Sequence, residues 1–382
     1  MRKVCVVVGS RANYSSIKSA MRAIDRHPAL ELQLVVGASA LLDRYGTVGD
    51  LIEQDGFQPD ERVFMLIEGE TPSTMAKSTG LGLLELPTAF ERLQPDVVIT
   101  VGDRFETMAT ALAATYMNIP LAHTMGGEVS GNIDESIRHA VTKFAHVHFP
   151  ASKGAAERIV RLGEDPDCVH LVGCPRMDLV AEVLRDGGDG LSELFELGVG
   201  GRFSLDEPFL ILSQHPVTTE YGEGKEQIQE TLKAVEELGI PAVGLWPNAD
   251  AGSEHIAAGI RQWREFHDDS KLHFFKNLPS DDYIRLMAKT AALVGNSSSA
   301  IREGAFIGTP AVNIGPRQEG RDRGSNVIDV GYDKGEIADA IRRQVEHGRY
   351  DPEPIYGDGS AGQRIADILA EEPLSIHKRM TY

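Results

Sequence analysis

Five consecutive apolar residues, Val4-Cys5-Val6-Val7-Val8, end at Gly9-Ser10. A strand with one face in water alternates apolar and polar residues; one that is apolar at every position is covered on both faces. Short runs of the same kind stand at 32–36, 97–101, 121–123, 147–149 and 169–172, separated by helically periodic stretches such as 15–24 and 107–117. Strand, helix, strand at this spacing predicts a parallel sheet with helices on both faces. A second series follows the Gly-rich stretch 187–201, which reads as a linker. Its strands are expected at 209–212, 242–245, 272–275, 292–294 and 311–314, and its helices at 224–238, 281–289 and 300–306. A last helix at about 360–369 precedes a charged tail. The expected architecture is α/β: two Rossmann-like domains, 1–186 and 202–358, facing across a cleft, with 359–382 packing back toward the first.

Charge narrows the range of ligands. Acidic residues outnumber basic ones 57 to 38, a net charge of −19. This excludes a general nucleic-acid partner, which needs a basic face. An anionic ligand would have to be held by local arginines and helix N-termini against that field. Cys5, Cys168 and Cys174 form no metal-binding set, and Cys5 lies in a core strand. No apolar run reaches membrane length and no cleavable leader is visible, so a reducing cytoplasm is the expected location.

Polar clusters follow the strand runs. Gly9-Ser10-Arg11 follows the first; the glycine allows a tight turn, and Arg11 is either a phosphate contact or a loop arginine. The GxGxxG fingerprint is absent, which argues against a nicotinamide cofactor. Gly102-Asp103-Arg104 follows the run 97–101; Asp103 is a proton acceptor or a helix cap, with Arg104 beside it. The densest segment runs from His123 through Gly126, Gly127 and Glu128 to Gly131, Asp134, Glu135, Arg138 and His139. Asp134 and Arg138 share a helix face, as a salt bridge or as part of a site. His146 and His148 alternate as half-buried strand residues. His215 follows the run 209–212 and is a candidate acid or base. Gly295-Asn296-Ser297-Ser298-Ser299 is the most specific segment: hydroxyls and helix N–H groups able to cradle a diphosphate, with Glu303 one turn on for ribose hydroxyls. Arg317, after the next strand, is a second counter-charge.

Together the segments GSRANYS, VGDRFET, GGEVSGNIDESIRHAVTKFAHVHF, VGCPRMD, SQHPVTTE and VGNSSSAIREGAFIGTPAVNIGPRQEGR resemble the hydrolysing UDP-N-acetylglucosamine 2-epimerase family. The resemblance implies a glycosyltransferase-B-like fold, with the sugar handled by the first domain and the nucleotide diphosphate by the second. It implies anti elimination of UDP across C1–C2, then syn addition of water, giving N-acetylmannosamine and UDP without metal or nicotinamide. It gives Asp103 and Asp134 acid, base or water-handling roles, has His215 assist near the sugar, and has Glu303 bind ribose. Arg11, Arg104, Arg138, Ser297, Ser298, Ser299 and Arg317 are the expected substrate-binding groups. A homodimer or homotetramer is implied as well.

Three positions depart from that pattern. Met125 stands where many relatives carry the carboxylate of HIEGG, which makes Glu128 the nearby substitute. Ser16 stands where some carry a lysine, with Lys18 two positions on. Ala40 stands where relatives often have a sugar-pocket histidine. These positions leave UDP-N-acetylglucosamine as the first reading of the substrate and a UDP- or GDP-linked 2,4-diacetamido-2,4,6-trideoxy sugar as the alternative. A non-catalytic nucleotide-sugar binding protein is the alternative of another class.

Overall fold

The computed structural model describes residues 1–42, 48–69, 71–130, 133–187, 191, 194–247, 252–267, 271–276 and 278–381. The chain forms two units. The first comprises Met1–Glu128, Asp134–Leu179 and Tyr356–Tyr382; the second comprises Val129–Ile133 and Val180–Ile355. The division falls inside the helix Pro175–Asp186 rather than after it at 186, because that helix runs on from one unit into the other. Gly131 and parts of the Gly-rich stretch (188–190 and 192–193) lie outside the described residues.

The first unit holds six parallel strands: β1 (Arg2–Val8), β2 (Leu30–Gly37), β3 (Glu61–Val63), β4 (Val97–Val101), β5 (Leu121–Thr124) and β6 (Val147–Phe149), in the order β3-β2-β1-β4-β5-β6. The apolar run that opens the chain shows why. Val4, Val6 and Val8 enter one buried cluster with Tyr14, Ile24 and Ile365, while Cys5 and Val7 enter another with Leu86, Phe90 and Ala109. Each face of β1 is therefore a core, and a polar residue at any of these five positions would be buried.

The second unit repeats the order. Its strands are β7 (Val199–Gly200), β8 (Leu210–Ser213), β9 (Ala242–Leu245), β10 (Leu272–Phe275), β11 (Ala292–Gly295), β12 (Ala311–Ile314) and β13 (Val327–Val330), arranged β13-β12-β11-β8-β9-β10-β7. All pairs are parallel except β10–β7. Without β7 the order matches the first sheet, β8 standing for β1 and β11 for β4. In each sheet the strand order reverses between those two strands, and the loops after them flank a crevice where α/β sheets place ligands.

The expected strand at 169–172 is a single bridge between Val169 and His148. The chain turns away from β6 there, and Gly173 takes φ +91°. The helix Pro72–Leu93 has no counterpart in the sequence reading, since Gly80, Gly82 and Pro87 interrupt its periodicity. Its start is nevertheless secured by a Thr71/Thr74 capping box and Pro72. The last helix, Ala361–Glu371, lies against the helix Lys18–Arg26 in the first unit. Contact is close enough that a Cβ on Gly362 would sit 2.6 Å from the Ser19 carbonyl carbon.

Candidate functional site

The loops after β1 and β4 are tied together. Ser10 caps the short helix Arg11–Ser15 by accepting from the Asn13 N–H. The Asn13 side chain accepts from Gly9 N–H at 3.2 Å and donates to the Val101 carbonyl, at the end of β4, at 3.2 Å. Gly9 has no room for a side chain, because its Cβ would lie 2.3 Å from Cγ of Glu106. Buried Glu106 in turn pairs with Arg104 at 3.3 Å. Ala40 joins the same loop from the end of β2, its N–H donating to the Gly9 carbonyl at 3.2 Å. Lys18 is engaged elsewhere, 2.6 Å from Asp55.

Asp103 does not occupy the cap position of the helix Phe105–Tyr116; Arg104 does, without a side-chain cap bond. The Asp103 carboxylate instead receives Arg138, whose Nε donates at 2.9 Å and whose Nη2 also donates. Arg138 lies on the helix Asp134–Phe144, is 1 % exposed, and donates through Nη1 to the Glu128 carbonyl at 2.8 Å. One buried guanidinium thus locks the Asp103 carboxylate and the Glu128 backbone into a single framework. The sequence placed Arg138 with Asp134 on one helix face; the structure adds Asp103, from the loop after β4, as a partner.

His123, fully buried on β5, donates Nε2–H to the Gly102 carbonyl at 2.7 Å. Burial pushes its imidazole down to about 4, so at neutral pH it is an uncharged brace for the Asp103 loop. Beyond β5, Met125 takes φ +62° and Gly127 takes φ +75°. A Cβ on Gly127 would stand 2.2 Å from the Ala155 carbonyl oxygen. Glu128 is buried, Asp134 half-buried at its helix start, and Glu135 pairs with His139 at 3.5 Å. His148 is fully buried rather than half-buried, 3.1 Å from Glu164.

The second unit fastens its own pair of loops. Gly295 takes φ +130°, and a Cβ there would lie 2.1 Å from the Ser213 carbonyl oxygen. Asn296, buried, accepts from His215 N–H at 2.7 Å and donates to the His215 carbonyl at 2.9 Å. This holds the backbone of His215, whose ring Nε2 lies 3.4 Å from Ser213 Oγ. Ser297 caps a turn of 3-10 helix, Ser298–Ala300, and its hydroxyl lies 2.8 Å from that of Ser299, which meets Tyr283 Oη at 2.6 Å. The following helix, Arg302–Ile307, buries Glu303 in its first turn. Arg317 and Gln318 both donate to the Asn296 carbonyl, at 3.2 and 2.9 Å. The structure therefore gathers His215, Ser297, Ser298, Ser299 and Arg317 around Asn296. Sequence reasoning left Asn296 without a role because its function is to hold other loops, as is that of Asn13.

Among the described residues no three His, Cys, Asp or Glu side chains are grouped to hold a metal ion, and no helix is long and apolar enough to cross a membrane.

Residues 22–370 match the family model for UDP-N-acetylglucosamine 2-epimerase. The chain is 32 % identical to the UDP-N,N'-diacetylbacillosamine 2-epimerase (hydrolyzing) of Legionella pneumophila, covering 98 % of this chain and 97 % of that one. It is 28 % identical to the UDP-N-acetylglucosamine 2-epimerase of Neisseria meningitidis, over 97 % and 95 % of the two chains. In fold it is similar to the crystal structure of UDP-GlcNAc 2-epimerase from Neisseria meningitidis bound to UDP-GlcNAc, with TM-score 0.82 at 18 % identity, over 97 % of this chain and 100 % of that one.

Proposed function

The chain belongs to the UDP-N-acetylglucosamine 2-epimerase family, and from that membership we propose that it is a hydrolysing 2-epimerase of a UDP-linked 2-acetamido sugar. The observation that carries the reading is the fastening of Asp103 by buried Arg138, with Arg104 next to it in the loop after β4 and Arg11 in the loop after β1 that Asn13 ties to it. A carboxylate so held is fixed in place for proton transfer, and the arginines next to it suit a departing diphosphate. In the proposed reaction a base takes the C2 proton as the C1–O bond breaks and UDP leaves with the electron pair. Water then adds at C1 while C2 is reprotonated from the opposite face, so that UDP-sugar plus water gives UDP plus the 2-epimer. We assign proton and water handling to Asp103 and Asp134, and assistance at the leaving oxygen to His215. Phosphate and ribose contacts fall to Ser297, Ser298, Ser299, Glu303 and Arg317.

Glu128 is the candidate for the carboxylate missing at Met125. Its near-complete burial, 2 % exposed, gives it a less direct path to the substrate than Asp103 has.

For the sugar we favour the 2,4-diacetamido-2,4,6-trideoxy reading over N-acetylglucosamine. Ala40 and Met125 replace two polar groups with apolar ones, and both border the loops just described. Ala40 is bonded to Gly9, and the Met125 methyl lies 3.8 Å from where a Gly102 Cβ would be. The Met125 thioether suits a 6-deoxy carbon or an acetamido methyl, while Ala40, 1 % exposed, supplies no imidazole for a 6-hydroxyl. The relative from Legionella pneumophila is named for that sugar. The test is incubation with UDP-N-acetylglucosamine and with UDP- and GDP-linked 2,4-diacetamido-2,4,6-trideoxy sugars in deuterated water. The expected result is UDP plus the free 2-epimer labelled at C2, fastest with the UDP-diacetamido substrate. Binding without release of UDP or GDP from any of them would refute the enzyme reading, and a preference for UDP-N-acetylglucosamine would refute the sugar.

A further inference from the structure

The helix Asp134–Phe144 ends against the C-terminal tail, and both belong to the first unit. A helix leaves its last carbonyls without donors of its own, and a basic side chain can supply them. Lys378 does so: its Nζ donates to the Thr142 carbonyl at 3.1 Å and to the Ala145 carbonyl just past the helix. The tail is fastened at a second place as well. Lys378 pairs with Glu164, while Thr381 donates through Oγ1 to the Glu164 carbonyl and through N–H to the Gly163 carbonyl, each at 3.0 Å. Eleven residues are too few for a helix to keep its place unaided, so tertiary contacts of this kind decide where it sits.

The buried face of the same helix leads to Asp103. Arg138 and Thr142 stand one turn apart on it, both buried. Arg138 grips the Asp103 carboxylate. Thr142 Oγ1 donates to the Arg138 carbonyl at 3.0 Å and lies 3.4 Å from Nδ1 of His123, the ring that reaches the Gly102 carbonyl through Nε2. Gly126 is pressed against this pair: a Cβ there would lie 2.8 Å from His123 Nδ1 and 3.0 Å from Thr142 Oγ1. The loops after β4 and β5 thus both take their positions from one helix face, and a displacement of the helix is passed to Asp103 by direct hydrogen bonds.

We propose that Lys378 is a positioning residue for the reaction: from the C-terminal tail it holds the end of this helix, and through Arg138 and Thr142 it sets where the Asp103 carboxylate stands. The proposal rests on the epimerase reading and on the assignment of Asp103 to proton transfer, but not on which sugar is used. Misplacing a proton-transfer group slows the chemical step, whereas the grip on the nucleotide, assigned to residues of the second unit, is left alone.

The test compares the wild-type protein with its Lys378→Met and Lys378→Arg variants. It reads kcat and KM with the better of UDP-N-acetylglucosamine and the UDP-linked diacetamido sugar, UDP affinity by calorimetry, and hydrogen exchange of a peptide covering 100–106. Lys378→Met should lower kcat about tenfold or more and leave KM and UDP affinity within about twofold, with faster exchange at 100–106. Lys378→Arg, which keeps the charge and the donors, should recover most of the lost kcat. Unchanged kcat, a loss of UDP affinity as large as the loss of kcat, or an arginine variant as slow as the methionine one overturns the proposal. Lys378→Gln carries the comparison if the methionine variant does not fold. Failure of the proposed function would show in the wild type, which would release no UDP from either sugar; unchanged exchange at 100–106 in the variant would overturn the coupling even then.

Discussion

Glu164 offers a sharp quantitative test of how the C-terminal segment is held. It is buried, with a side chain 3 % exposed, and it receives Lys143, Lys378 and His148. Lys378 also donates to the Thr142 carbonyl at 3.1 Å, and Thr381 N–H donates to the Gly163 carbonyl at 3.0 Å. The tail is therefore anchored at one carboxylate. Burial alone would raise that carboxyl, but hydrogen bonds from His148, Lys143 and Lys378 outweigh it and hold the group down at about 2, against an ordinary 4.5. A shift of this size corresponds to about 3 kcal/mol at most, and the partly exposed lysines reduce it through solvent screening to about 2 kcal/mol. The folded-state value lies below the unfolded one. The stabilisation is thus complete above about pH 4.5 and is lost as pH falls toward 2.

Replacing Glu164 by Gln should remove this contribution at pH 7 and leave Lys378 beside Lys143 without a counter-charge. The assay is hydrogen exchange by mass spectrometry on peptides covering 160–170 and 374–381. A loss of about 2 kcal/mol corresponds to exchange faster by roughly thirtyfold at pH 7. Stability measured by denaturant should differ by a similar amount at pH 7, and the difference should shrink to roughly a quarter of that by about pH 2.5. The protein supplies its own control, because both tryptophans, Trp246 and Trp263, lie in the second unit. Their fluorescence should follow a transition that the substitution leaves nearly unmoved. Equal tail exchange in the two proteins, or a difference that persists unchanged to pH 2.5, would refute the account.

Three further outcomes follow from the geometry. Asp103→Asn should leave the thermal transition within a few degrees of wild type yet lower turnover more than about 100-fold, and near-normal turnover of the purified variant would end its assignment to proton transfer. Glu128→Gln, in the same assay, should cost less than Asp103→Asn; an equal or greater loss would show that the buried carboxylate has taken over from the missing one. Asn296→Ala removes both side-chain bonds to the His215 backbone, so turnover should drop at least about tenfold with about 1–3 kcal/mol of lost stability, and unchanged kinetics would show that His215 needs no such clamp.

The apolar runs made the alternating α/β order legible because strands buried on both faces show it in composition alone, as Val4 to Val8 do. Two short elements without an apolar run stayed hidden. β3 reads Glu-Arg-Val, and β7 is a Val-Gly pair inside what looked like a linker. The 169–172 run failed for the opposite reason: its residues are apolar enough for a strand, but Gly173 turns the chain before a ladder can form. Long-range polar pairs were not legible. Nothing near Arg138 in the chain announces Asp103, 35 residues away, and nothing near Asn13 announces Val101.

The repeated strand order explains why so many site candidates were nonetheless found at strand ends. In each unit the strand order reverses between two central strands, β1 and β4 in one, β8 and β11 in the other. The two loops leaving such a pair diverge, and a crevice forms that neither helix layer fills. A crevice lined by loops does not close itself; each pair is bound by one asparagine side chain, Asn13 across β1 and β4 and Asn296 across β8 and β11. An amide can accept and donate at once, so one residue satisfies an N–H and a carbonyl that the diverging strands leave without a ladder partner. On this view the two asparagines are equivalent parts of one architecture used twice. What differs is the chemistry mounted beside them: carboxylates and arginines on Asn13's side, a histidine and a serine turn on that of Asn296.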